Sequence, residues 1–404
     1  RIPQRPVSSD LASTSGAEGP TASGRSDGTS GVTQMLDAAR NFRKSMGLLD
    51  ALLNSHDIDA VQLSSDISAQ LNGIMLRQDS TTAAAHFACI DALRALVESE
   101  IGEIYEVHPF GSAANGFGTV GGDLDLVCCH PDHSDSKHAA KQVLRKLLDA
   151  LRRTPDLRCV EAIFGARVPV LKLMYAGSLE VDLSAFNVDP LRNTCLLRAY
   201  ASLHEVVPYV GIFVKQWAKA HGVIGAAFGQ LSSYSWTLMA IFFMQVQLGL
   251  PCLPVDEFSS TAPRGSRVSW ACSLSLFDII VGFFQFYAEQ FDWDGEVVSV
   301  RIGRILGASD PTFQQLRDRR SGRIEDPILL GRNLADVVSN RAKMMEALEE
   351  ALAELRAGRV PGLQTTSAAS GVGSGKGGGK GGGKGKRRWG KGKPVELLVQ
   401  TDLA

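Results

Sequence analysis

The sequence predicts an α+β fold: a small sheet domain, then a mostly helical domain, between disordered N- and C-terminal tails. Three observations predict it. Five short β-type runs cluster between residues 102 and 186, with one clear helical segment among them. Helical periodicity dominates from Pro190 to about Gly358. Both ends are rich in Gly, Ser or Lys and poor in large apolar residues, so neither can bury enough surface to offset its chain entropy.

The elements follow in order. Residues 1–33 are dominated by Ser, Gly, Pro and Thr and are expected to be disordered. Residues 34–76 read as a helical extension, as in "MLDAARNFRKSMGLLDALL". The small sheet domain spans 77–190. It opens with a helix over about 80–101, "STTAAAHFACIDALRALVESEI". Then come the β-type runs "GEIYEVHPF", "DLDLVCCH", "CVEAIF", "RVPVLKLMY" and "LEVDLSAF", with the helix "SKHAAKQVLRKLLDALRR" between the second and third. A helical domain spans 191–358, where "TCLLRAYASLHEVVPYVGIFVKQWAKAHG", "SSYSWTLMAIFFMQVQLG", "LSLFDIIVGFFQFYAEQF" and "NLADVVSNRAKMMEALEEALAELRAG" fit buried or amphipathic helices. Residues 359–404 form a Gly/Lys-rich basic tail.

Composition narrows the class. With 44% hydrophobic and 21% charged residues in 404, most of the chain should fold as an ordinary globular protein. A formal net charge of −1 means no global basicity advertises nucleic acid. Seven cysteines, an odd number without metal-ligand or disulfide spacing, fit a reducing compartment. The cytoplasm is the first expectation, with nuclear or organellar sites left open. Cys128-Cys129 reads as strand filler. No run of about 18 apolar residues occurs, so no membrane association is expected. The chain begins at Arg1 rather than methionine and reads as a fragment or processed product, so the lack of a targeting signal carries no weight.

The chemistry concentrates in "FGSAANGFGTVGGDLDLVCCH", residues 110–130. Glycine suits a backbone that turns tightly or approaches a ligand closely. Gly111-Ser112 follows a β-type run, and such a turn can hold a phosphate through backbone amides and the Ser112 hydroxyl. Strand alternation in "DLDLV" puts Asp123 and Asp125 on one face and Leu124 and Leu126 on the other. Adjacent carboxylates repel unless a cation lies between them. Asp182, in "LEVDLSAF", supplies a third carboxylate on a later strand of the same sheet. Alone, "DLDL" would read as a solvated edge strand and "GSAANG" as a turn. The glycine loop and Asp182 together favour a two-metal site, and oxygen ligands favour Mg²⁺ over zinc, with Mn²⁺ as an alternative.

These residues resemble a known family. "FGS…GGDLDLV…LEVDLSAF" looks like the nucleotidyltransferases of the DNA polymerase β type. Over roughly 77–345 the chain resembles terminal uridylyltransferases and cytoplasmic-type poly(A) polymerases, through "ARVPVLKL", "RNTCLLRAYASL", "VKQWAKAHGVIGAAFGQLSSYSWTLMAIFFMQ" and "IEDPILLGRNLADVV". The resemblance implies a polymerase β-like sheet domain joined to a PAP-associated helical domain. It implies that Gly111 and Ser112 contact triphosphate and that Asp123, Asp125 and Asp182 bind metal. Asp182 would also help deprotonate the RNA 3′-hydroxyl.

Lys215 and Lys219 lie four apart on one helix face and resemble the pair that grips the triphosphate. A solvated face is the plainer reading for two lysines, but the apolar "IFV" and Trp217 around them mark a largely buried helix. Ser233 and Tyr234 match the phosphate-contacting serine and base-stacking tyrosine, and a core aromatic is the alternative for Tyr234. Asn193 matches the asparagine set against the ribose and pyrimidine edge, or it caps the following helix. Asp326, in "IEDP", matches a base-recognition carboxylate.

Some positions depart from the pattern. Gly122 stands where the family has serine, and Asn115 replaces a small hydroxyl residue. Neither removes a metal ligand. Leu329 replaces a polar residue, and Arg332 stands where many uridylyltransferases have the histidine that helps choose uracil over adenine. Arginine donates to a uracil carbonyl or stacks on a base but cannot accept from an adenine amino group, which tilts the reading toward UTP over ATP. No zinc-finger spacing or aromatic RNA-binding strand occurs in the globular part. Lys376, Lys380, Lys384, Lys386, Arg387, Arg388, Lys391 and Lys393, with Trp389 among them, form a cationic arm suited to phosphate backbone; a solubilising tail or nuclear import signal reads equally well.

The expected activity is template-independent addition of UMP from UTP to an RNA 3′ end with release of pyrophosphate, and adenylyl transfer is the alternative. A primer-independent synthase would share the sheet and carboxylates. A silent RNA-binding scaffold would typically lack one of the three carboxylates.

Overall fold

The computed structural model describes residues 59–131, 136–258, 268–316 and 322–362. The expected disordered tail over 1–33, most of the 34–76 extension and nearly all of the basic tail lie outside these residues.

Helix α1, Ala60–Ile74, is capped by Asp59, whose Oδ1 accepts from the Gln62 amide at 2.9 Å. Helix α2, Thr81–Ile101, starts at the Ser80 cap and ends at Gly102. A sheet follows, built from β1 Glu106–Phe110, β2 Leu124–Cys129, β3 Leu157–Ile163, β4 Val170–Tyr175 and β5 Leu179–Ala185. Its order is β1-β2-β5-β4-β3, with β2 and β5 parallel and the other neighbours antiparallel. The five β-type runs read from the sequence are these five strands.

Helix α3, Lys137–Leu151, crosses between β2 and β5 by way of β3 and β4. It packs with α2 on one sheet face. Val143, Leu144, Leu147 and Leu151 of α3 meet Cys89, Ile90, Leu93 and Val97 of α2 over Leu124, Leu126, Val181 and Leu183. The pleat therefore turns Asp125 and Asp182 to the opposite, uncovered face.

The second core is helical. It comprises α4 Asp189–Ala201, α5 Val206–Ala220, α6 Ser233–Leu248, α7 Leu276–Gln285 and α8 Arg341–Arg356. The stretch "TCLLRAYASLHEVVPYVGIFVKQWAKAHG" divides between α4 and α5 at Ser202–Glu205, and Pro208 sits in the first turn of α5, where a missing N–H costs nothing. In α6 every residue from Ser235 to Val246 is buried, which explains a pattern apolar all round rather than on one stripe. Trp217 and Trp236 stack edge-on at 5.4 Å, and Trp217 meets Phe284 at 4.7 Å. Ile67 and Leu71 of α1 belong to this helical core. Among the described residues no helix is long and apolar enough to cross a membrane.

Candidate active site

Strand register builds the acidic end of the site. Asp125 pairs with Asp182 across parallel β2 and β5, and Lys172 pairs with Asp182 across antiparallel β4 and β5. Lys172 Nζ donates to Asp182 Oδ1 at 3.1 Å and to Oδ2 at 3.0 Å. Burial first, then the charges of Asp123 and Asp182, push the Asp125 carboxyl up to about 7, with Lys172 opposing. Among the described residues no three acidic, His or Cys side chains gather closely enough to hold a metal as they stand. Asp125 and Asp182 share a strand register, while Asp123 lies just before β2 and Asp182 is held by Lys172. The donor set still suits a hard divalent cation. It is all carboxylate oxygen, and the repulsion raising Asp125 is what such a cation would relieve.

The loop after β1 forms a tight 3₁₀ turn at Gly111–Ala113. Gly111 has φ 68°, and a Cβ there would overlap the Asp125 carboxylate, so only glycine fits on both counts. The Gly111 amide donates to Thr194 Oγ1 at 2.9 Å, and that hydroxyl donates to the Pro190 carbonyl at 2.7 Å. Gly111 lines the site cavity, and α4 uses its amide to tether the loop. Ser112 remains on the wall of a cavity of about 290 Å³ between the sheet and the helices, together with Gly111, Asp123, Asp125 and Asn115. Buried Asn115 accepts from the Phe117 amide at 2.9 Å.

From the helical side Lys215 lines the same cavity. Its Nζ donates to the Phe117 carbonyl at 2.6 Å. One turn earlier Gly211 lets Phe117 lie flat on α5, since a Cβ there would come within 2.6 Å of the ring. Burial lowers the Lys215 ammonium to about 8, and Asp123 partly offsets this. Lys219 is exposed and does not line the cavity. The structure therefore brings one of the two expected lysines to the site.

Ser233 and Tyr234 open α6 on the cavity wall, behind the Ser232 cap, which accepts from the Ser235 amide at 3.1 Å. Tyr234 donates its hydroxyl to Asn193 Oδ1 at 2.8 Å. Asn193 lies inside α4, which begins at Asp189, so the helix-cap alternative fails. Burial raises the Tyr234 phenol, with nearby Asp326 adding to it, and keeps it a donor.

Asp326 is fully buried and does not line the cavity. Its Oδ1 accepts from the Ile328 and Leu329 amides at 3.0 and 3.2 Å, and its Oδ2 accepts from Arg332 Nη1 at 3.3 Å. The carboxylate expected to read a base folds the 326–332 turn and holds Arg332, which lines the cavity. Ser299 and Arg301 anchor that turn through Glu325, at 2.5 Å from the serine hydroxyl and 2.7 Å from the guanidinium.

Lys172, Thr194 and Thr237 escaped the sequence reading. Lys172 stands in the quoted run "ARVPVLKL", and pairing β4 with β5 would have set it opposite Asp182. Thr194, next to Asn193, carries no local signal for a contact 83 residues away. Thr237 lies one turn after Ser233, so helical spacing alone would have brought it to the wall.

A sheet bearing two register-matched aspartates beside a glycine turn, closed by a helical region, is the arrangement expected of a polymerase β-like nucleotidyltransferase. Residues 63–202 match the poly(A) RNA polymerase, mitochondrial-like, central palm domain, and residues 275–331 match the Cid1 family poly A polymerase domain. It is 31% identical to mouse terminal uridylyltransferase 4 over 273 residues, covering 62% of this chain and 16% of that protein. It is 32% identical to Xenopus laevis poly(A) RNA polymerase GLD2-A over 243 residues, covering 54% of this chain and 47% of the relative. The chain thus spans between a sixth and about half the length of these relatives. A solved cytoplasmic RNA terminal U-transferase shares the fold at TM-score 0.62 and 23% identity, covering 73% of this chain and 94% of that one. The solved GLD-2/RNP-8 complex gives 0.60 at 26% identity, covering 74% and 95%.

Proposed function

We propose that this protein transfers nucleoside monophosphates from a nucleoside triphosphate to an RNA 3′ end without a template, releases pyrophosphate, and prefers UTP. The observation that carries the base preference is the polarity of the cavity's nucleobase end. The Asn193 carbonyl oxygen is taken by Tyr234 and the Asp326 carboxylate is taken by Arg332 and two amides. What remains of these two groups toward the cavity is the Asn193 amide NH₂ and the outer N–H groups of Arg332, both donors. Uracil offers two carbonyl acceptors to them, whereas the adenine amino group would find no acceptor on either and only the hydroxyls of Ser233, Tyr234 and Thr237 nearby.

The remaining roles follow from position. Ser112, Lys215 and Ser233 border the space where a triphosphate would lie, and the α6 N-terminus adds the favourable end of a helix dipole. Tyr234 supplies an aromatic face for the base, worth ~1–3 kcal/mol in stacking. Asp123, Asp125 and Asp182 would hold divalent metal, Mg²⁺ or Mn²⁺, which when bound polarises the phosphoryl group and lowers the pKa of the attacking hydroxyl. Asp182, released from Lys172, would help take the proton of the RNA 3′-hydroxyl. The seven cysteines, none disulfide-bonded, support a reducing compartment, and the cytoplasm is our first assignment.

Adenylyl transfer is the second reading, favoured by the GLD2-type poly(A) polymerases among the relatives. The test is primer extension: the purified protein, Mg²⁺ and a short single-stranded RNA with each nucleoside triphosphate in turn. Extension chiefly with UTP is expected, and extension chiefly with ATP would make this a poly(A) polymerase. Extension with none would sink both readings and favour the scaffold or the primer-independent synthase.

A further inference from the structure

The start of β2 has a cavity on each side. Asp123 and Asp125 line the one already described, whereas Leu124, pointing the other way through the sheet, lines a second cavity of about 520 Å³. Its walls come from the 76–78 segment between α1 and α2, from α2, from the turn after β1 and from the corner between α4 and α5. It thus touches both cores and shares Ser112 with the phosphate side. The volume falls in the ordinary range for small-molecule sites, about 300–1,000 Å³.

Its chemistry is uneven in an informative way. Arg77 and Arg198 both line it, both exposed, and neither guanidinium has an ion-pair or hydrogen-bond partner among the described residues. Phe87 keeps 58% of its surface exposed beside them. His86, only 5% exposed, has an unpartnered Nε2. No acidic side chain lines the cavity. Two free guanidiniums call for an anion, and their planar forks suit phosphate. An exposed aromatic ring beside unpaired cations suits a flat ring that stacks.

We propose that this second cavity is a nucleotide site, separate from the catalytic one, in which Phe87 stacks on a nucleobase while Arg77 and Arg198 hold its phosphate. The occupant is a free mononucleotide or one residue of an RNA strand, which present the same chemistry. The choice of probe rests on the reading under Proposed function, but the readout needs no catalysis, so the two can fail separately.

The test is photocrosslinking of the full chain with 5-iodouridine monophosphate, and in a second arm with single-stranded RNA carrying 5-iodouridine at successive positions. The attachment point is mapped by mass spectrometry. Attachment at Phe87 or His86 in either arm supports the site, and the arm that gives it identifies the source. In the double variant Arg77→Glu/Arg198→Glu that attachment should fall by about tenfold or more, while attachment at Tyr234 is retained. Phe87→Ala should remove it with an unchanged melting temperature. Crosslinks confined to the catalytic cavity in both arms, or attachment at Phe87 insensitive to the charge reversal, would overturn the proposal.

Discussion

The two ends of the catalytic cavity are built on opposite electrostatic plans. At the sheet end, Asp123, Asp125 and Asp182 are left in mutual repulsion, with Lys172 as their close counter-charge. At the helical end the amide oxygen and the carboxylate are already spent: Asn193 by Tyr234, and Asp326 by Arg332 and two backbone amides. The first plan keeps an energetic deficit that a cation can relieve. The second leaves Asn193 and Arg332 as donors, which is what the proposed choice of UTP rests on. On that proposal, binding strength and base choice are set by different residues, and each can be disturbed without the other.

The largest effect should come from breaking the sheet end. Asp125→Asn removes a proposed metal carboxylate, so turnover in primer extension should fall by roughly 10³-fold or more, several kcal/mol of transition-state stabilisation. The same change relieves repulsion, so the metal-free protein should melt at the same temperature or higher in calorimetry. Lower stability with retained turnover would reverse that account.

Asp326→Ala attacks the helical end. It frees Arg332 and leaves the Ile328 and Leu329 amides without their acceptor. Unfolding in urea should show a loss of about 1–3 kcal/mol, together with a reduced UTP-over-ATP ratio and little change in metal dependence. Arg332→Ala should lower that ratio by about tenfold, within the ~1–3 kcal/mol of a good base contact, and should also lower stability, because it leaves the fully buried Asp326 carboxylate with only its two backbone amides.

Lys215 separates the two ends by pH. Burial lowers its ammonium to about 8 from an ordinary 10.5, so between those values the unfolded chain binds more protons than the folded one. Its contribution to stability therefore rises with pH across that window. Nucleotide affinity should move the other way, with the KM for UTP rising above about pH 8 as the charge is lost. Lys215→Arg, which stays charged, should flatten that rise. The smallest effect belongs to Tyr234→Phe, which keeps the stacking face but releases Asn193. It should cost about 1 kcal/mol, read as a several-fold higher KM for UTP.

The sheet end was legible in the sequence because strand alternation and a glycine turn are local patterns. Asp123, Asp125 and Asp182 could be set on one face of one sheet before any coordinates existed, and all five strands followed from short β-type runs. Lys172 was missed because its meaning lies in β4–β5 pairing, and Thr194 because its contact with Gly111 spans two elements far apart in sequence. At the helical end, resemblance named Asn193, Tyr234, Asp326 and Arg332, but only the packed structure shows which of their polar atoms are already spent. Lys219 illustrates the limit of spacing: four residues from Lys215 keeps it on the same helix face, yet one further turn carries it past the cavity into solvent.

The most direct measurement is a competition in one tube. RNA primer, Mg²⁺ and equimolar UTP and ATP are mixed with the wild-type protein, and the tails are sequenced. The Asn193 and Arg332 donors predict tails made mostly of uridine, with the uridine fraction falling in Arg332→Ala. Tails made mostly of adenosine, or a composition indifferent to Arg332, would contradict it.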